Sequence, residues 1–263
     1  VDRIIYALQS INGAYSLVIL SEDSLIGIRD PMGIRPLVIG KLNDSYVLSS
    51  ESCGLDIIGA ELIRDVGPGE IVIINKSGLR SINPFKNAQL KPCLFEYIYF
   101  SRPDSILEGK SVYQVRKKIG QELAKESIND KNIVDKVVPI PDSGNASALG
   151  YSEGINKPFE FGIIRNHYTG RTFIEPSSSI RHLGVKMKHN PNFAPLKGKK
   201  IALVDDSIVR GTTSVKIVEM LRNCGVKEIH MRIASPPVKY PCYYGIDTPS
   251  EKELLASRHT VEE

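Results

Sequence analysis

Two neighbouring carboxylates, Asp205 and Asp206, follow the apolar run IALV and open a loop of short polar residues, DDSIVRGTT, before a helical stretch resumes at Thr213. A strand end that carries two acids offers oxygen ligands to Mg²⁺ and acceptors to the hydroxyls of a sugar. The loop after it, with Ser207, Arg210, Gly211, Thr212 and Thr213, offers donors instead. Unpaired N–H groups at a helix start cradle a phosphate, the helix dipole favours its charge, and Gly211 lets the backbone come close. A plain turn with a capped helix uses the same residue types. Two acids followed by this loop favour a binding site over a cap.

A second strand-to-helix turn, Pro141, Asp142, Ser143, Gly144 and Asn145, follows the run VVPI. Capping alone would account for it, but beside the first loop its N–H groups suit a second anion, a pyrophosphate. Between the two loops lies RNHYTGRTFIEPSSSIRHLGVKMKHNP, polar and without regular periodicity. Arg165, Arg171, Arg181, Lys186, Lys188, Lys197, Lys199 and Lys200 crowd this region, and no acid stands between Glu175 and Asp205, although the formal net charge is only +4. Next to a polyphosphate site the segment reads as a basic lid that excludes water, with Arg165 at its start as a candidate catalytic contact. Nucleic acid is the poorer fit for the anion: there is no Trp, interleaved aromatics are few and no nucleic-acid module is visible.

These loops need a scaffold, and the chain supplies two kinds. From Ala14 to Ile74 short apolar runs (YSLVIL, PLVIG, YVLSS, GEIVIIN) alternate with Gly, Pro, Asn and Asp, the pattern of antiparallel strands and turns. After SINPF and KNAQLK the pattern changes, so a boundary is expected near residue 88, giving units 1–88 and 89–263. In the second, Val112, Val115, Ile119 and Leu123 predict one face of a helix, and another is predicted from Thr213 to Cys224, stopped at Gly225. Strands are expected at 137–140, 161–164, 201–204 and 228–234. Alternation of this kind predicts an α/β fold with a parallel sheet flanked by helices, and ligands at the carboxyl ends of its strands.

Val1, Ile4, Ile5 and Leu8 repeat at helical spacing and no Met precedes them, so upstream sequence is expected to be missing. No apolar run approaches the roughly 20 residues that span a bilayer, which argues against a membrane partner. Cys53, Cys93, Cys224 and Cys242 form no CxxC pair, the usage of reduced cytoplasmic thiols, and neither a disulfide scaffold nor a complete metal site is visible.

Together PDSGN, RNHYTGRTFI, VDDSIVRGTT, EYIYFSRPDS and PPVKYPCYYGID closely resemble the glutamine phosphoribosylpyrophosphate amidotransferases, from about residue 10 to the C-terminus. The resemblance implies the β-rich part of an N-terminal nucleophile glutaminase domain, carrying NGAYSLVI, RDPMGIRPL, SSESCGLD and DVGPGEIVII, followed by a type I phosphoribosyltransferase domain. It implies de novo purine synthesis: phosphoribosylpyrophosphate and glutamine-derived ammonia give 5-phosphoribosylamine and pyrophosphate. Mg²⁺ positions fall on Ser143, Asp205 and Asp206, and substrate positions on Asp142, Ser143, Gly144, Asp205, Asp206, Ser207, Arg210, Gly211, Thr212 and Thr213. Purine nucleotides are implied as feedback inhibitors, and a homo-oligomer as the assembly. The family's nucleophilic cysteine is N-terminal and is not Cys53, and the chain is expected to stop short of the family's C-terminal end. Cys93 and Cys242 match two of the four ligands of the 4Fe-4S cluster carried by one branch, which implies a cluster-bearing parent protein whose other two ligands are expected in a CxxC segment beyond this chain; Cys224 reads as a core thiol. His167 and Lys186 stand where the family favours Arg. A phosphoribosylpyrophosphate-sensing transcriptional regulator and a salvage phosphoribosyltransferase are the alternatives, but the first needs a DNA-binding module and the second no β-rich unit.

Overall fold

A computed structural model of the chain describes residues 1–166, 189–246 and 250–261. Two compact units divide the chain, Val1–Tyr113 with Cys242–Thr248, and Gln114–Pro241 with Pro249–Glu263. The boundary expected near residue 88 falls inside the first unit, because hydrogen bonds tie the following segment to it. Gln89, Lys91 and Cys93 donate their N–H groups to the carbonyls of Pro31, Met32 and Ile34. Farther on, the Glu51 carboxylate accepts the Arg102 N–H at 2.8 Å and the Ser105 hydroxyl at 2.6 Å, and Ser52 Oγ accepts the Ile106 N–H.

The first unit is layered. Helix α1 (Asp2–Leu8) precedes strands β1 (Ser16–Leu20), β2 (Leu25–Arg29), β3 (Val38–Leu42) and β4 (Ser45–Ser49). After helix α2 (Ser52–Ile57) come β5 (Glu61–Asp65), β6 (Ile71–Asn75) and β7 (Gly78–Ile82). One antiparallel sheet has the order β1-β2-β6-β7 and a second the order β4-β3-β5. Alternation along the strands sends Ile39, Leu37, Val66 and Val72 into a core between the sheets, with Leu48 and Leu79 packed on it. On the outer face of the first sheet Ile26, Ile28, Ile71 and Ile73 meet Leu8, Ile4 and Ile5 of α1, and on the outer face of the second Val38 meets Leu55 of α2. The corner RDPMGIRPL is held by its own charges: the buried Arg29 donates to the carbonyls of Arg35, Val66 and Gly33, and the Asp30 carboxylate accepts the N–H groups of Met32 and Ile34. The aromatic run EYIYF is a π-helical turn, Glu96–Phe100. The Ser101 hydroxyl closes it on Glu96 at 2.8 Å. Strands β8 (Ile106–Leu107) and β9 (Lys110–Ser111) form a short hairpin.

The second unit is built on a parallel sheet of β10 (Lys136–Pro139), β13 (Lys200–Asp205) and β14 (Glu228–Ile233), in the order β10-β13-β14. Successive strand residues face opposite layers. Val137, Ala202 and Val204 meet Ala124 of α3 (Val112–Glu126) and Ala148, Tyr151 and Ile155 of α4 (Asn145–Ile155). Val138, Ile201 and Leu203 meet Ile217 and Leu221 of α5 (Thr212–Asn223) on the other side. Burying both faces explains why IALV reads as a continuous apolar run. The strand expected at 161–164 corresponds to β11 (Ile163–Arg165), but it pairs antiparallel with β12 (His189–Pro191) and does not join the parallel sheet. An apolar run shows that a strand is buried, not which strand it pairs with. No described helix is long and apolar enough to cross a membrane.

Helix α3 also differs from expectation. Its buried line is Val112, Arg116, Gly120 and Ala124, while Val115, Ile119 and Leu123 are only half-buried. Two glycines decide this. A Cβ on Gly120 would stand 1.9 Å from the Ser147 carbonyl oxygen, and one on Gly150 1.9 Å from that of Lys117. The backbones of α3 and α4 therefore touch where side chains normally separate helices.

Candidate functional site

The carboxyl ends of the neighbouring strands β10 and β13 carry the two loops that the sequence singles out. After β10 the chain passes through Ile140 to Gly144 and enters α4 with no side-chain cap. The peptide bond between Pro141 and Asp142 is cis. The Ile140 N–H donates to the Val204 carbonyl at 2.8 Å, and a Cβ on Gly144 would come within 2.8 Å of that same oxygen. Only glycine lets this loop lie so tightly on the end of β13. Asp142 is exposed and ion-paired with Arg165.

After β13, Asp205 and Asp206 are 8% and 5% exposed. The sheet grips both: their carbonyls accept the N–H groups of Ala234 and Ser235, at 3.0 and 2.8 Å. The Asp206 N–H donates to Asp205 Oδ1 at 2.9 Å, and the Ser207 hydroxyl bonds the Asp206 carboxylate. Burial pushes the pKa of Asp205 far up, and the adjacent Asp206 adds to the rise. Asp206 is also raised by burial, but Ser143, Ser207 and the charge of Arg116 pull it back down. The pair is thus a store of unfavourable negative charge that a cation relieves.

Gly211 then adopts φ +79°, the left-handed region that glycine tolerates, and turns the chain into α5. No side chain caps that helix, so its first N–H groups point from a dipole terminus with Thr212 and Thr213 exposed beside them. Arg210 pairs with Glu253 at 3.0 Å, and the Leu255 N–H donates to the Val209 carbonyl at 2.9 Å. The segment that follows residue 249 thus packs on the loop.

Asp142, Ser143, Gly144, Asp205, Asp206, Ser207, Arg210, Gly211, Thr212 and Thr213 therefore share one end of one sheet. Arg165 reaches Asp142, whereas the rest of the expected lid from His167 to Lys188, including Lys186, lies outside the described residues. Sequence reasoning missed Arg116, which is 4% exposed and acts on Asp206, and Glu253.

The donor set fits a hard cation. Ser143, Asp205 and Asp206 offer oxygen only, and Mg²⁺ is usually bound by one or two carboxylates with substrate phosphates and water completing its shell. Among the described residues no group of three or more His, Cys, Asp or Glu stands ready for a metal. The cysteines behave differently. Burial raises the Cys93 thiol, and Glu96 and Cys242 add to the rise. Cys53 and Cys224 are buried in α2 and at the end of α5.

The phosphoribosyl transferase domain family matches residues 105–234, a stretch that includes both loops. Amidophosphoribosyltransferases of Rhizobium etli and Bacillus subtilis are 52% and 47% identical to the chain, over 98% and 100% of it. The chloroplastic enzyme of Glycine max is 51% identical over 99%. The chain belongs to the amidophosphoribosyltransferase family. It spans about half the length of these relatives: 52%, 54% and 46%. Two solved structures superpose with TM-scores of 0.91 at 47% identity, covering 99% of this chain and 56% and 57% of theirs. One is described as the allosteric regulatory enzyme of purine biosynthesis, the other as glutamine phosphoribosylpyrophosphate amidotransferase from B. subtilis complexed with ADP and GMP.

Proposed function

We propose that the second unit binds phosphoribosylpyrophosphate with Mg²⁺ and transfers its phosphoribosyl group to ammonia, giving 5-phosphoribosylamine and pyrophosphate in purine synthesis. One observation carries the reading: a buried acid pair, a serine loop and an uncapped helix start meet at the ends of two adjacent parallel strands. They meet opposite demands of one ligand, oxygen acceptors for its hydroxyls and donors for its phosphates. Asp205 and Asp206 hold the ribose hydroxyls, Gly211 to Thr213 hold the 5-phosphate, and the loop at Asp142 to Gly144 holds the pyrophosphate. Ser143, Asp205 and Asp206 would hold Mg²⁺, which would supply positive charge against that building on the departing pyrophosphate. Displacement at the anomeric carbon needs no protein nucleophile. The residues act by orienting the ligand and by stabilising charge on the departing group.

The first unit we read as part of a glutaminase domain that supplies the ammonia, on the strength of its two facing antiparallel sheets between α1 and α2 and of its family. Purine nucleotides as inhibitors, a homo-oligomeric assembly and a cytoplasmic location belong to the same reading; one related structure holds ADP and GMP. The cysteines do not by themselves fit a 4Fe-4S cluster, which takes a full set of thiolates. Cys93 and Cys242 would supply two of them, whereas Cys53 and Cys224 are buried in separate elements.

The test is calorimetric titration of phosphoribosylpyrophosphate with Mg²⁺ into the chain and into its Asp205→Asn and Asp206→Asn variants, with circular dichroism to verify folding. Affinity should fall at least about tenfold, which corresponds to roughly 1.4 kcal/mol. Unchanged affinity in both folded variants, and unchanged turnover with ammonia as donor, would mean that the acids only shape the turn.

A further inference from the structure

We infer that Asp142 sets how tightly the site holds pyrophosphate by competing with it for Arg165, carboxylate and pyrophosphate being rival acceptors for one guanidinium. Such rivalry rests on the pyrophosphate loop proposed above. The backbone brings the two side chains together. After α4 the chain runs beside β10 in the same direction, with Phe159 paired to Val137. Val137 donates its N–H to the Pro158 carbonyl and its carbonyl accepts the Glu160 N–H, both at 2.9 Å. Gly162 keeps the chain close, since a Cβ there would stand 2.9 Å from a methyl of Val138. Both segments then reach the carboxyl end of β10, one as the loop from Ile140 to Gly144 and the other as Arg165, the last residue of β11. At that end Arg165 meets the Asp142 carboxylate.

Asp142 satisfies this guanidinium only in part. One terminal nitrogen bonds the carboxylate, while Nε, shielded from water, has no hydrogen-bond partner among the described residues. The side chains of Arg165 and Asp142 are 35% and 48% exposed, and an ion pair so wet shifts an equilibrium by no more than about fivefold. A phosphate group takes two parallel N–H bonds from the same planar fork, which makes it the stronger acceptor. Asp142, already half in water, loses little when Arg165 turns from it. Its carboxylate nevertheless lowers the affinity on two counts, by occupying Arg165 and by placing negative charge beside the loop that receives the anion. An internal rival also favours departure of the pyrophosphate, and product release limits many enzymes.

Four proteins test this: the wild type, Asp142→Asn, Arg165→Gln and the double variant, each titrated calorimetrically with inorganic pyrophosphate and Mg²⁺ after circular dichroism has verified folding. Asp142→Asn should tighten pyrophosphate roughly fivefold. Ribose 5-phosphate, which lacks that group, should bind both proteins alike. Arg165→Gln should weaken pyrophosphate, and by more in the Asp142→Asn background than in the wild type, because the released guanidinium no longer has to break a pair in order to bind. Equal losses in the two backgrounds mean that the side chains do not compete. A smaller loss in the Asp142→Asn background means that Asp142 orients Arg165 for the ligand, and either result overturns the inference. Should Arg165→Gln not fold, Asp142→Asn decides alone, with unchanged or weaker binding of pyrophosphate as the refuting result; Asp142→Ser is read in the same way should Asp142→Asn not fold. A wild type that binds phosphoribosylpyrophosphate, with no gain for pyrophosphate in Asp142→Asn, sinks the competition and leaves the proposed function standing. A wild type that binds neither ligand counts against both.

Discussion

Substituting Asp130 by Asn should unfold the second unit more readily than any other single loss of charge away from the site. Asp130 is 3% exposed in a 3-10 turn, Ile128–Asn132, before β10. Its two carboxylate oxygens take a fork from Arg232 of β14, Nε to Oδ2 at 2.8 Å and one terminal nitrogen to Oδ1 at 2.6 Å. The fully buried Tyr151 of α4 donates its hydroxyl to Oδ2 at 2.5 Å. An amide of the same shape keeps one acceptor and turns two donors toward groups that already donate. Two charge-assisted bonds are each worth about 1.5 to 3 kcal/mol. The Arg232 side chain is 26% exposed, so water recovers part of the loss, and a net cost of about 3 kcal/mol follows. For a unit of this size that is a fall in Tm of roughly 6 to 12 °C at pH 7.

The pH dependence supplies a separate check. Burial pushes the Asp130 pKa up, but the hydrogen bonds from Arg232 and Tyr151 and the Arg232 charge outweigh it, and the folded value lies below the ordinary one. A group with a lowered folded pKa stabilises fully above its unfolded value and loses that contribution as pH falls through the folded one. The gap between wild type and Asp130→Asn should therefore be wide at pH 7 and narrow below about pH 4. Thermal and urea unfolding at both pH values, by circular dichroism, decide it. A difference below about 1 kcal/mol at pH 7, or an undiminished one in acid, would refute the reasoning.

Tyr151 should define an alkaline limb: burial and Asp130 raise its pKa to about 12, so the stability it gives is present below the free value and lost as pH rises toward the folded one. Tyr151→Phe should abolish that limb in unfolding titrations at a cost of about 1 kcal/mol at neutral pH. Gly150→Ala should cost at least about 2 kcal/mol by urea unfolding, because its Cβ meets the Lys117 carbonyl at 1.9 Å and α3 must move away. Glu253→Gln should leave stability within about 0.5 kcal/mol, since both partners are more than half exposed, and should raise phosphoribosylpyrophosphate affinity by releasing Arg210; weaker binding in the titration would show that Glu253 itself helps to hold the ligand.

How much of the site was legible in the sequence depends on how its parts are spread along the chain. IALVDDSIVRGTT encodes a strand, an acid pair, a left-handed glycine and a helix start within contiguous residues, and each step has its own residue signature. PDSGN does the same on a smaller scale. Arg116 and Glu253 reach the site from far along the chain, and no local pattern distinguishes them from solvated charges. The same limit governs the fold. Apolar runs located β10, β13 and β14, but FGII carries an equal run and pairs elsewhere, because pairing is decided by what lies opposite and not by the run itself. EYIYF has the β-branched and aromatic content of a strand and still forms a π turn, where the Arg35 guanidinium holds Glu96 at 2.8 Å. Periodicity gave α3 an apolar face of which Val112 is buried and Val115, Ile119 and Leu123 are half-buried, because it weighs large apolar residues. Beside that face lie the small residues Gly120 and Ala124, which let the backbone of α4 approach, and a period that counts large apolar residues passes over them.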